Sequence, residues 1–252
     1  MKGFSHLRYV GLLACLVLWE LLSLLAPPSR AYFATPLETL QECAALVVSG
    51  ILVGELLRTL AVWALGLIVG VSIGVLLGSA LASSAKVSFT LMPLHDFLRT
   101  LPAVTLIPFA FLFLGPTKTG RAAVVAWAVA FVVALPTYQA IRHVNRWRAR
   151  AALSLGLTGV ALYRKVYILD ALPEILTAIR LALSIGLLVT LVAEMSLGLP
   201  DGIGGMIYFA GLAYRPQRVI AGMLCAGALG VGVNSLYVRL VERRWNWKRG
   251  TA

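Results

Sequence analysis

The sequence predicts an all-α integral membrane protein with six transmembrane helices, and three observations carry that prediction. Hydrophobic residues make up 60% of the 252-residue chain, against about 45–50% in soluble globular proteins. Charged residues are only 13%, where about 25% is usual. The apolar residues also collect in long runs, and about 20 consecutive apolar residues suffice to cross hydrocarbon as a helix. Mean hydropathy is +0.89. The chain reads as one transmembrane domain over residues 1–252.

The runs follow in order. Tyr9 to Leu25 is the first expected span, after a start carrying Lys2 and Arg8. A signal peptide opens similarly, but its apolar region is about 7–15 residues and no further spans need follow it. The run therefore reads as a retained anchor, stopped by Pro27 and Pro28. Thr35-Pro36-Leu37-Glu38 opens an amphipathic helix, either lying on the membrane surface or packed as a short core helix under a loop.

Thr59 to Leu81 is the second span. Gly66, Gly70, Gly74 and Gly78 recur at every fourth position in it. In a bilayer such spacing marks the face where another helix backbone comes close. Ala82 to Leu98 reads as a polar break. Arg99 to Leu114 is the third span, interrupted by Pro102 and Pro108, which membrane helices tolerate when neighbours satisfy the freed carbonyls. Ala122 to Ile141 is the fourth span, Ile175 to Leu197 the fifth and Val219 to Leu240 the sixth. Between them lie a basic loop, Arg142 to Pro173, and a turn-rich segment, Gly198 to Arg218. Trp245 and Trp247 in the tail suit an interfacial belt.

The net charge is +12. In a soluble domain that would suggest nucleic acid, but no basic patch interleaved with aromatics exists, so no nucleic-acid partner is expected. Six spans put both termini on one side. Fifteen of the 22 lysines and arginines fall on that side and six on the other, with Arg180 in or near the fifth span. The positive-inside rule then makes both termini and the Arg142–Pro173 loop cytosolic.

Little in the chain supports catalysis. Cys15, Cys43, Cys225, His6, His95 and His143 are scattered, with no metal-ligand spacing, and no cofactor is expected. No GxxxxGK[ST] phosphate loop is present, so the chain cannot hydrolyse ATP by itself. Glu20, Glu55 and Glu194 lie near span ends, where a carboxylate can reach the interface. Glu194 stands out because it adjoins the glycine-rich segment. No catalytic set can be assembled, which argues against a membrane-embedded enzyme. The lack of a buried acidic relay or an inverted repeat argues against a secondary transporter or channel uncoupled from ATP.

The basic loop remains. After Arg146, Arg148 and Arg150, the residues Ala151, Ala152, Leu155, Leu162 and Tyr163 recur near helical spacing, with Gly156 and Gly159 between them. Such a segment can enter a partner's groove closely or lie against anionic lipid. The residues alone leave both open.

Arg150 to Pro173 resembles the EAA loop of the membrane subunits of binding-protein-dependent ABC importers. Ala151 and Ala152 match the two alanines, Gly156 the glycine, Val166 the isoleucine, and Ala171-Leu172-Pro173 a later A-L-P. Two positions depart from the pattern: Arg150 stands for the glutamate and Leu169 for the first proline. Further stretches resemble the nitrate/sulfonate/taurine subgroup. They are Arg99-Thr100-Leu101-Pro102 with Ile107-Pro108 and Gly115, Ala171 to Thr177, and Ala193-Glu194-Met195 before Gly202-Ile203-Gly204. The resemblance covers residues 55 to 245, the expected permease core.

It implies a type I ABC importer-like permease subunit, multi-pass in a bacterial inner membrane and working as a homodimer. Its expected partners are cytosolic ATP-binding subunits, an extracytoplasmic solute-binding protein and the lipid bilayer. Residues 150–173 would form the coupling helix. Arg150, Ala151, Ala152, Ser154, Leu155, Gly156 and Leu162 would serve ATPase coupling, and Pro102, Pro108 and Glu194 the pathway or its gating. The implied cargo is a small oxyanion such as an aliphatic sulfonate, taurine or nitrate.

Overall fold

The computed structural model describes residues 5–25, 33–196 and 199–242, and the regular elements among them are all helical. They are α1 (Ser5–Leu25), α2 (Pro36–Val48), α3 (Ile51–Ser83), α4 (Ala85–Thr100), α5 (Ile107–Leu114), α6 (Lys118–Arg142), α7 (Arg146–Ser154), α8 (Gly159–Leu162), α9 (Leu169–Met195), α10 (Gly202–Leu212) and α11 (Pro216–Tyr237). A π-helical stretch, Tyr163–Ile168, joins α8 to α9. Among the described residues four helices are long and apolar enough to cross a membrane: α3, α6, Gly159–Met195 and Pro216–Val241. A bent pair, α4 with Ala103–Leu114, makes a fifth if it is counted as one span. The chain divides into two compact units, with boundaries inside α3 and α11.

The larger unit comprises Leu60–Ser196 with Leu229–Ala252. Its organising contact is between α3 and α6. A Cβ added at Gly66, Gly70, Gly74 or Gly78 would lie 2.9, 2.7, 2.6 or 2.4 Å from the carbonyl oxygens of Ala122, Ala126, Ala130 and Ala134 respectively. The glycine repeat is thus the helix–helix face expected from its spacing, with no room for any side chain. On the opposite side of α3, Leu65, Ile68 and Leu76 are exposed. In water such a surface would aggregate. Towards hydrocarbon it is the ordinary outer face of a spanning helix. Val125, Val129, Val133, Ala182, Val189 and Ala193 join α6 to α9 in the same core. The buried Trp63 indole N–H donates to the Leu183 carbonyl at 3.1 Å, which satisfies its one polar group.

The smaller unit comprises Met1–Thr59 with Leu197–Ala228. The α2 start is capped as its sequence predicts. The Thr35 side chain accepts from the Glu38 amide, the Glu38 carboxylate accepts from the Thr35 amide, and Pro36 occupies the first turn. Leu46, Leu52 and Ala221 form its core. Arg218 pairs with Glu42 at 2.6 Å. Helix α10 lacks a cap from its own N-cap residue. Its first amides are met instead by α3. Gly202 N–H donates to Glu55 at 2.6 Å and Ile203 N–H to the Thr59 hydroxyl at 2.8 Å. Residues four apart on one helix share a face, so one turn of α3 serves the start of α10. A carboxylate there also complements the helix dipole.

Several expectations change. The third span is not one helix over Arg99–Leu114. The axis turns by 85° between α4 and Ala103–Leu114, because Pro102 holds extended backbone (φ −61°, ψ 120°) ahead of a 3₁₀ turn and Pro108 opens α5. The expected polar break at Ala82–Leu98 is mostly α4. Ser84 caps it, accepting from the Val87 amide at 3.2 Å. The basic loop Arg142–Pro173 is helical over much of its length, and Pro173 falls inside α9. Within Gly198–Arg218, Gly202–Leu212 is helical. The stop at Pro27-Pro28, Gly198 and the aromatic tail with Trp245 and Trp247 lie outside the described residues.

Gly74→Val is expected to abolish the folded, monodisperse fraction in size-exclusion chromatography in detergent. Overpacking costs about 1–3 kcal/mol where side chains can adapt, and here a backbone carbonyl would have to move. Gly54→Ala, with nothing within 4 Å of the added carbon, should leave that fraction intact. Thr59→Val should speed hydrogen exchange at the first amides of α10, since a buried donor left unsatisfied costs about 1–3 kcal/mol.

Candidate functional site

The segment expected to couple the protein to a partner is built on α7. Its N-cap is Asn145, whose side-chain oxygen accepts from the Trp147 amide at 2.9 Å. Its C-terminus closes in a Schellman arrangement. Leu157 N–H donates to the Ala152 carbonyl and Gly156 N–H to the Leu153 carbonyl, both at 3.0 Å. Gly156 sits at φ +82°, a conformation that costs a residue with a Cβ but not glycine. Nothing lies within 4 Å of where its Cβ would be. Within this chain, then, Gly156 is required by its backbone angle and not by crowding.

The two alanines of the motif point to different sides. Ala152 is buried at 7% exposure, beside the buried Ala149. Ala151 is exposed, with Arg150, Ser154, Leu155 and Gly156. Trp147, Arg150, Ala151, Ser154 and Leu155 recur at three- and four-residue steps and form one outward face. Trp147 is 74% exposed and Leu155 82%. The Arg150 guanidinium lies 5.3 Å from the centre of the Trp147 ring, a cation–π contact that gives this arginine a partner on its own helix. Leu162 is half-buried at the end of α8.

Asp170, which the sequence reading passed over, fastens α7. It pairs with Arg148 and accepts from the Asn145 amide at 3.4 Å. An acid at the start of α7 also favours its dipole. Below this brace Ala140, Ile141, Ala171 and Ile175 form a small core, flanked by Tyr163 and Tyr167 of the π-helical stretch. Helix α7 is thus tied to the start of α9 through Asp170.

Two cavities open along α9 in the same unit. The larger, about 1160 Å³, is lined by Gln139, His143, Thr177, Arg180, Ser184 and Asn234 among others. The smaller, about 470 Å³, is lined by Pro102, Trp127, Phe131, Ile185 and Val189 among others. Pro136 and Leu181 border both, so the cavities adjoin. Glu174, Thr177, Leu181, Ser184 and Leu188 form an exposed, polar-flecked face of α9. Of the expected pathway residues, Pro102 lines the smaller cavity and shapes its wall through the bend. Pro108 sits in the first turn of α5 and borders neither. Glu194 is fully buried. Arg121, of opposite sign, is also buried in the same unit. Among the described residues no group of three or more His, Cys, Asp or Glu could hold a metal.

A helical membrane chain with a braced, exposed helix and a polar-lined cavity has known counterparts. The family described as binding-protein-dependent transport system inner membrane component matches residues 70–246. The chain belongs to this family. It is therefore a transport subunit of the inner membrane and not itself an ATPase. It is 30% identical, over 96% of its length and 88% of the relative's, to a putative aliphatic sulfonates transport permease protein SsuC of Bacillus subtilis. It is 31% identical, over 70% of its length and 65% of the relative's, to the taurine transport system permease protein TauC of Escherichia coli. A chain in the inward-facing MetNI methionine ABC transporter shares its fold with a TM-score of 0.67, at 21% identity, over 76% of this chain and 95% of that one.

Gly156→Asn should keep transport, because asparagine tolerates positive φ. Gly156→Val should cut it at least tenfold, both read as uptake in membrane vesicles. Asp170→Ala should raise protease sensitivity at α7 without changing membrane insertion.

Proposed function

We propose that this chain is the permease subunit of an ATP-driven importer and that α7 is its coupling helix. One observation carries the reading: in a member of this family, α7 presents an apolar and aromatic face to solvent while being capped at both ends and braced by Asp170. A free loop would not hold such a face in place. Trp147, Arg150, Ala151, Ser154 and Leu155 meet a cleft on a cytosolic ATP-binding subunit. Ala152 packs inward and sets the depth of the helix, and Leu162 steadies the junction behind it.

Motion of the ATPase then passes through the π-helical stretch into α9 and the cavities along its exposed face. Two copies of the chain enclose the pathway between such faces. Six spans follow if α1 and the bent α4–α5 pair are each counted once. Both termini are cytosolic by the charge distribution. A separate extracytoplasmic binding protein delivers the cargo. The cargo is a small oxyanion such as an aliphatic sulfonate, taurine or nitrate, and the names of the relatives SsuC and TauC support the first two.

The test is affinity purification in mild detergent with co-expressed neighbouring gene products. A P-loop ATPase is expected to co-purify with the wild type and to be lost in Leu155→Asp, with unchanged membrane insertion of the variant. Wild-type protein recovered without an ATPase, or uptake that follows an ion gradient and ignores ATP depletion, would instead indicate a secondary transporter or channel.

A further inference from the structure

We propose that Cys43 and Cys225 close to a disulfide on the extracytoplasmic side of the membrane and fasten the two halves of the smaller unit. The proposal rests on the orientation given above, with both termini cytosolic. Cys43 belongs to α2 and Cys225 to α11. Both are half-buried, and both pack against the same core of Leu46, Leu52 and Ala221. There the two side chains hydrogen-bond to each other. The residue before Cys43 joins the same two helices, since Glu42 pairs with Arg218 at 2.6 Å. Packing and an ion pair thus hold side by side two thiols that lie far apart in the chain.

Packing alone asks for apolar volume and not for two sulfurs in contact. The donor set also falls short of a structural zinc site, which takes four ligands. Among the described residues no group of three or more His, Cys, Asp or Glu could hold a metal. What two adjacent thiols can do unaided by a third ligand is form a bond with each other.

The level of the pair decides whether they do. Helix α2 has 13 residues, about 20 Å at 1.5 Å per residue, too short to cross about 30 Å of hydrocarbon. Leu37, Leu40, Val47 and Val48 are exposed, and so are Glu38 and Gln41. Apolar and polar faces exposed together suit a helix lying in the interface. Cys43 is at that level, and Cys225 with it. In the stated orientation α1 crosses once and leaves α2 outside. Disulfides form and persist in oxidising compartments of that kind and are rare in the cytosol. The oxidant is a protein disulfide of the extracytoplasmic space. One cysteine thiolate attacks it and expels one of its sulfurs, and the second cysteine then attacks the mixed disulfide and expels the other. The Cys43–Cys225 bond forms and the oxidant's bond breaks. Two electrons pass to the oxidant, whose two sulfurs leave as thiols with the two protons.

The test uses the full-length protein in the inner membrane of growing bacteria. Cells are quenched in acid, their proteins are dissolved in detergent with iodoacetamide, and peptides are mapped by mass spectrometry with and without prior reduction. Cys15 is expected to be alkylated in both samples. Cys43 and Cys225 should be alkylated only after reduction, and should appear as one cross-linked peptide pair before it. In Cys43→Ser, Cys225 should be alkylated without reduction. Dithiothreitol should lower the melting midpoint of the purified wild type, because the bond restrains the unfolded chain, and should leave that of Cys43→Ser unchanged. Cys43 and Cys225 alkylated without reduction in the wild type, either one joined to Cys15 or to another chain, or a wild-type midpoint that ignores the reductant each overturns the proposal. Protease cleavage of a C-terminal tag, compared in spheroplasts and inverted vesicles, keeps the two readings apart. A tag cleaved only in inverted vesicles upholds the orientation, so that free thiols then count against the disulfide alone. A tag cleaved in spheroplasts removes the orientation and the proposal with it.

Discussion

Four glycines of α3 lie against four carbonyls of α6, and the larger unit depends on that contact. Lipid chains are as apolar as leucine, so burial of apolar surface gives membrane helices little reason to associate. Close backbone approach supplies dispersion and weak Cα–H···O contacts in its place. With α3 seated this way, Val125, Val129 and Val133 are fixed on α6. They in turn receive Ala182, Val189 and Ala193 of α9. The exposed face of α9, and the cavities along it, are therefore set in part by residues such as Val125, Val133 and Ala182 that touch neither cavity.

From that frame the proposed transport machinery is a short mechanical chain. Helix α7 is rigid because both of its ends are capped. It is attached because Asp170, at the start of α9, pairs with Arg148 and accepts from the Asn145 amide. The π-helical stretch between α8 and α9 has a wider turn than its neighbours, and such turns recur at functional positions in helices. In the proposed mechanism a displacement at Leu155 passes through this stretch into α9. Rigid, densely packed interiors transmit strain in this manner.

Much of this was legible in the sequence, for local reasons. The glycine spacing named its own face, and the Thr35–Glu38 pair named its own cap, because each signal is complete within a few residues. The position of the expected coupling segment was visible through its motif. The sides of its residues were not. Ala151 and Ala152 are chemically identical neighbours, and only the rotation of α7 against Tyr163 and Tyr167 decides which is buried. Helix α4 was hidden because polarity was read as a break, although Ser84, Lys86, His95 and Asp96 sit within one helix. The 85° bend was present in Pro102 and Pro108, but its angle depends on packing. The sequence placed Arg180 in or near the fifth span, but its bond to Asn234 was not legible, because Asn234 has no local signature.

The cap on α10 has a consequence for the order in which the chain is completed. Glu55 and Thr59 belong to a helix made early in synthesis, and their partners, Gly202 and Ile203, follow 147 and 144 residues later. Until then the Glu55 carboxylate has Arg58, one turn on, as its partner, and the Gly202 and Ile203 amides are still to be made. The smaller unit can close only after residues 60–196 have been made, because its two halves lie on either side of them in the chain.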